Sequence, residues 1–466
     1  MDQDRTGYSG IPRPRSTLGR REFVRRVGTA CGLLALNCWA VCDSADAVDI
    51  PIDLYATGER KLRIAVPEFY AEGAEAEDFA TKLIEVLRFD LNFSGYFQLL
   101  SPLLYPVGFK GLPPEPNMVD YAAWGKQVRE LLYGNCRSEG EGRFVVAVRL
   151  IDLSGPKIRQ LLGLRYRVEK QQHRLLAHEL ADRIVKIHTG EVGIARTKLV
   201  FCSTLPGAKE LYIMDYDGAN LRRITYDKAI ALSPSWHPDG GSILYTSNID
   251  KNWDLYSLEL HTGNRQRLAA YPGLNLSAVW SPRRAEISLT LSRDGNPEIY
   301  LLRPNGKILR RLTRNKVIDG EPSFSPTGED IAFASDMAGL SQIYAVGRDG
   351  RNLRRLTYQP GQCLSPAWSP RGDLIAYVAS TGRGAFDIFV MNADGSEPRR
   401  LTAGAGKNED PCWSPDGRHI AFSSDRDGYY GIWVMNSDGS EQRKLVELGP
   451  CNCTSPAWSP RPPLRR

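Results

Sequence analysis

After residue 197 the chain breaks into short strand-like apolar runs that recur on a fixed period, the mark of a repeat architecture. One phrase appears six times: Ser233-Pro-Ser-Trp236-His-Pro, Ser277-Ala-Val-Trp280-Ser-Pro, Glu321-Pro-Ser-Phe324-Ser-Pro, Ser365-Pro-Ala-Trp368-Ser-Pro, Asp410-Pro-Cys-Trp413-Ser-Pro and Ser455-Pro-Ala-Trp458-Ser-Pro. Its aromatic residues are 44, 44, 44, 45 and 45 positions apart.

Three further strand-like runs follow the phrase within each period. After Trp368 they are residues 374–379, 387–392 and 399–402; after Trp413 they are 419–424, 431–436 and 443–446. A turn ending in glycine separates the third from the fourth: Asp217-Gly218, Thr262-Gly263, Asn305-Gly306, Asp349-Gly350, Asp394-Gly395 and Asp438-Gly439. A tight hairpin turn needs positive φ there, which a Cβ resists. Four strands in about 44 residues is the unit of a β-propeller, not of a helical solenoid.

The last unit stops after its first strand, and three orphan strands (198–203, 210–215 and 221–225) precede the first phrase. The expectation is a six-bladed propeller whose last blade combines strands from both ends of the segment, leaving no open sheet edge. The repeated aromatic belongs on the innermost strand, filling the wedge between blades. Partners are expected at the loops around the central channel.

The region before the repeat has another rhythm. Residues 62–66, 96–100, 144–152 and 161–169 read as strands. Residues 75–91, 119–132 and 175–188 read as helices, and 102–116 as a Pro-rich connector. That order predicts an α+β domain, a two-layer sandwich of helices on a mixed sheet. His173, His178 and His188 are expected on the solvated side of the last helix.

The first 47 residues read as an export signal. Arg20, Arg21, Arg25 and Arg26 precede an apolar stretch, 27–41, and Ala45-Asp46-Ala47 supplies a cleavage site. Arg20-Arg21-Glu22-Phe23 looks like a twin-arginine motif, and an ordinary secretory signal is the alternative. The predicted organisation is therefore 1–47 export signal, 48–60 N-terminal arm, 61–195 α/β domain and 196–466 propeller. The arm, with Val48, Asp49, Ile50, Pro51, Ile52, Asp53 and Leu54, reads either as an edge strand or as a docking segment.

Composition narrows the function classes. A 466-residue chain with 42% hydrophobic and 24% charged residues suits a multidomain globular protein. Removing residues 1–47, with seven Lys/Arg and five Asp/Glu, changes the net charge from +6 to +4. The basic residues are interspersed with acids, so nucleic acid is not implied. Six cysteines remain (Cys136, Cys202, Cys363, Cys412, Cys451 and Cys453), and disulfides and buried free thiols both stay open. There is no G-x-S-x-G elbow, H-E-x-x-H pair or P-loop. Hairpin geometry accounts for the Asp-Gly pairs, so neither a metal nor a cofactor is expected. Glu321 and Asp410, placed near the channel mouth, are the candidate carboxylates for an alternative reading as a propeller hydrolase or glycan-processing enzyme.

The two-domain order, Leu62-Arg-Ile-Ala-Val-Pro67, Gly95-Tyr-Phe, Asp120-Tyr-Ala-Ala-Trp124 and the terminal Pro456-Ala-Trp-Ser-Pro460 resemble the TolB family over nearly the whole mature chain. The resemblance implies a monomeric, non-enzymatic periplasmic scaffold of the Tol-Pal system, supporting outer-membrane invagination at division and outer-membrane integrity. It implies two partners: the peptidoglycan-associated lipoprotein Pal at the propeller face and TolA at the N-terminal region. Carried over by position, the Pal-facing residues are Leu274, Ser277, Gly320 and Glu321. The arm, 48–57, is the segment whose ordering would respond to the partners.

Overall fold

The computed structural model describes residues 61–106 and 119–464, apart from 206, 383, 405 and 447. The export signal and the arm lie outside the described residues.

The α/β domain contains β1 (Leu62–Ala65), β2 (Tyr70–Glu72), α1 (Ala74–Phe93), β3 (Phe97–Leu99), α2 (Tyr121–Gly125), β4 (Glu130–Gly140), β5 (Arg143–Asp152), β6 (Arg159–Glu169) and α3 (His173–Thr189). The sheet order is β3-β1-β4-β5-β6, with β2 beside β4. Pairing is parallel from β3 to β4 and antiparallel from β4 to β6. The even-numbered residues Phe144, Val146, Val148 and Leu150 of β5 face the helices. There they meet Phe79, Leu83 and Leu87 of α1 and Leu176, Leu180 and Ile184 of α3. Spacings of three and four put each helical set on one stripe. Gly190, at φ 78°, ends α3 in the left-handed conformation.

The helix expected over 119–132 is a correction. Only Tyr121–Gly125 is helical, capped by the Asp120 side chain, which accepts from the Ala123 N–H. The rest enters β4, at the centre of the sheet. Leu132 belongs to the core under the helices, whereas Leu131 and Tyr133 join Trp124 in a second core on the other face. A strand buried on both sides shows no alternation, so its apolar run passes for a helix until its neighbours are known.

The remaining described residues form six four-stranded sheets. Innermost strands are Ala231–Trp236, Asn275–Trp280, Asp319–Phe324, Cys363–Trp368, Asn408–Trp413 and Cys453–Trp458, heading blades one to six in that order. In the sixth, Cys453–Trp458 pairs with Lys198–Ser203, which is followed by Glu210–Asp215 and Arg222–Arg223. Two of the repeated indoles bridge blades: Trp236 Nε1 donates to the Ala457 carbonyl at 3.0 Å and Trp413 Nε1 to that of Ala367 at 2.9 Å.

Antiparallel order gives the propeller two distinct faces. Innermost strands begin at one face and end at the other, where the turns between third and fourth strands also lie. The α/β domain sits on that second face: Phe93 stacks on His419 with ring centroids 4.1 Å apart, and Tyr216 donates its hydroxyl to Asp90. The face where the innermost strands begin is left to the blade-connecting loops. No helix among the described residues is long and apolar enough to cross a membrane.

Candidate binding face at the channel mouth

Each innermost strand carries a bulge at the same place. The register with the second strand shifts between Leu232 and Ser235, Leu276 and Val279, Gly320 and Ser323, Leu364 and Ala367, Glu409 and Cys412, and Thr454 and Ala457. At each bulge one residue takes φ between 48 and 56°: Ser233, Ser277, Glu321, Ser365, Asp410 and Ser455. Five of these precede a proline, a position that ordinarily favours extended backbone. Bulges re-aim side chains and bend strands. Here all six residues turn onto the central channel, where they line a cavity of about 160 Å³.

Two of the six are acids, and each serves the next blade. Glu321 Oε2 accepts the Ser365 backbone N–H at 2.6 Å. Asp410 Oδ2 accepts that of Ser455 at 2.9 Å, with the Ser455 and Ser423 hydroxyls at 3.2 and 3.3 Å. Glu321 keeps some contact with the channel, yet protein surrounds it. Burial pushes its carboxyl above the usual range; the Ser365 N–H opposes this, and the nearby Asp410 charge adds to it.

The four residues expected at the face fall in two settings. Ser277 and Glu321 line the channel. Leu274, just before its strand, and Gly320, near the start of its own, are half-buried; the Leu274 N–H donates to the Ser292 hydroxyl, and its carbonyl accepts the Ser292 N–H. The loops around them expose side chains that sequence reasoning passed over: Tyr358 (75% exposed), Tyr226 (69%) and Ile318 (56%), with Leu340 and Tyr429. A signal for two of them exists. Arg223-Ile-Thr-Tyr226 and Arg355-Leu-Thr-Tyr358 are one repeated phrase, and in both the guanidinium stacks over the tyrosine at 4.6 Å.

The TolB beta propeller domain matches residues 185–385 and 359–463, and the TolB amino-terminal domain matches 50–158. The chain belongs to the TolB family. It is 38% identical over 206 residues to the Tol-Pal system protein TolB of Syntrophotalea carbinolica, covering 44% of this chain and 47% of that one. Over 220 residues it is 37% identical to the Tol-Pal system protein TolB of Geobacter sulfurreducens, covering 47% and 49%. The chain thus spans about half the length of the curated relatives it matches. The crystal structure of TolB from Acinetobacter baumannii superposes with a TM-score of 0.73 at 24% identity, over 86% of this chain and 98% of that one. That likeness establishes the shared fold.

Within this TolB-family chain the histidines need a correction. The His188 ring packs edge-on against buried Phe97 with its Nε2 3.1 Å from the buried Glu130 carboxylate, and His178 is buried where the two domains meet, its Nδ1 2.7 Å from Asp90 Oδ2. Burial alone would depress His178; the hydrogen bond and charge of Asp90 carry it above its ordinary value. Asp90 in turn is raised by burial, against the pull of His178 and Tyr216. His178, Asp215 and Asp217 bring donor atoms within 4.8 Å of one another. However, Arg174 holds Asp217 and Lys198 holds Asp215, so the cluster is an ion-pair network between domains. The six cysteines named above are free thiols, and Cys412 alone among them is not fully buried.

Proposed function

We propose that the protein is a periplasmic, non-enzymatic scaffold of the Tol-Pal system, exported through the signal at 1–47. It binds Pal at the propeller face remote from the α/β domain and TolA through its N-terminal region, supporting outer-membrane invagination at division and outer-membrane integrity. The observation that carries this reading is the ring of exposed apolar loop residues, Tyr226, Ile318, Leu340, Tyr358 and Tyr429, around a channel mouth that nothing else in the chain covers among the described residues. Exposed aromatics grouped at one concave mouth are the kind of surface that binds a protein partner. Of the four residues expected to face Pal, Ser277 and Glu321 line the channel inside this mouth. The glycan-processing alternative gains nothing from Glu321 and Asp410, because each carboxylate already accepts a backbone N–H of the next blade.

Calorimetric titration of residues 48–466 with the Pal globular domain from the same organism tests the reading. Saturable binding that Ile318→Arg weakens by roughly tenfold or more supports it. Absence of binding by the folded wild type withdraws the Pal assignment.

A further inference from the structure

The helices cover one face of the α/β sheet; beyond Tyr133, the other face of β4, β5 and β6 is uncovered among the described residues. Its residues follow from register. One row across the strands is Tyr70, Asn135, Ala147 and Arg165; the next outward is Glu72, Arg137, Val145 and Arg167; the inner row is Tyr133, Arg149 and Gly163. Small residues (Val145, Ala147 and Gly163) form the floor of a hollow of about 560 Å³, with arginines and Gln160 around it. A more open hollow beside it, lined also by Glu72 and Glu139, adds Arg143, which is paired with Glu141.

The charges on this face are unbalanced. Glu139 lies 3.7 Å from Arg137 and 3.2 Å from Arg167. Arg149 and Arg165 have no carboxylate partner among the described residues. Arg149 is half-buried, and its Nη1 is shielded from solvent with no hydrogen-bond partner. A guanidinium nitrogen held out of water without an acceptor costs stability, and an incoming carboxylate would relieve that cost with a charge-assisted bond.

We propose that this face is a docking site for an acidic, extended peptide segment of a partner protein. Spacing favours a peptide. Arg165 and Arg167 are two residues apart on one strand, about 7 Å, which is the repeat of alternate side chains along an extended peptide. Arg149 offers a third guanidinium on the neighbouring strand. A flat anionic bilayer fits less well, because Arg149 is recessed and half-buried behind the exposed Arg165 and Arg167. This site is separate from the Pal-facing mouth and does not depend on it.

The probe is a fluorescently labelled synthetic peptide of alternating glutamate and serine, titrated by anisotropy at low ionic strength, where charge pairing is least screened. The protein is the mature chain. Wild type should bind it, and Arg149→Ala combined with Arg165→Ala should lose roughly tenfold or more in affinity. Gly163→Glu, which places a carboxylate among the arginines, should lose a similar amount while keeping the wild-type melting temperature. Arg222→Ala combined with Arg399→Ala, on the propeller's outer strands, should bind as wild type does. Equal affinity in all four proteins, or no binding by wild type, overturns the proposal. So does capture by phosphatidylglycerol vesicles that is lost in Gly163→Glu while the peptide fails to bind, since the site would then be one for lipid.

Discussion

The carboxylate of Glu321 accepts the backbone N–H of Ser365, the residue at the equivalent bulge one blade on, at 2.6 Å. A side chain that looks like a lone acid at a channel mouth is therefore an inter-blade staple. Asp410 does the same for Ser455. Ser233, Ser277, Ser365 and Ser455 occupy the other four equivalent positions with hydroxyls.

Glu321→Ala should lower stability by about 1–2 kcal/mol, because the Ser365 N–H would lose its acceptor in a confined site. Glu321→Gln should cost less than the alanine change or nothing, since its amide oxygen can accept the same bond without a charge facing Asp410. Urea unfolding of both variants measures the difference. A glutamine variant as damaged as alanine would show that the charge, and not the acceptor, is what the site needs.

Gly306 makes a second inter-blade contact. A Cβ there would lie 1.8 Å from the Leu268 carbonyl oxygen of the preceding blade, at φ 77°. Gly263, at the same place one blade earlier, has φ 73° and open space around it. Gly263→Ala should cost about 1 kcal/mol for left-handed backbone alone. Gly306→Ala should cost at least about 1 kcal/mol more, because the blades must shift apart. Equal losses in thermal or urea unfolding would remove the packing argument.

His419 is buried against Phe93 where the domains meet. Burial, helped by the charges of Arg418 and Arg443 and opposed by Asp416, lowers its pKa from 6.5 to about 4. A folded value below the unfolded one means that its contribution is complete above about pH 6.5 and is lost as pH falls toward 4. Over that window the protein should lose roughly 3 kcal/mol through this group. His419→Phe, which retains an aromatic ring for the stack, should lack that component, so the difference between the two stability-pH profiles isolates it from the Asp90–His178 pair. A difference that stays flat from pH 7 to 4 would contradict the assignment.

The propeller was the most legible part of the chain because its signal repeats: six aromatic phrases and six glycine turns mark blade number and strand phase together. The α/β domain offered each element once. Its outer helices and strands show amphipathic periodicity, and those readings agree with the structure to within a few residues. The central strand Glu130–Gly140 does not, since burial on both faces erases alternation, and the three-residue strand Tyr70–Glu72 is too short to leave a pattern. His178 was misplaced because its partner Asp90 is 88 residues away on another helix. The exposed loop residues Tyr358 and Tyr226 were visible as a repeated phrase, but only the topology tells which face their loops share.

Amide hydrogen exchange of residues 48–466, with and without a saturating Pal globular domain, tests the central claim most directly. Binding at the remote propeller face should protect the loops before the innermost strands, around residues 226–230, 314–321 and 358–365. The strand-three to strand-four turns near Gly306 and Gly350, on the opposite face, should exchange as in the free protein. Protection confined to those turns, or to the α/β domain, would contradict the account.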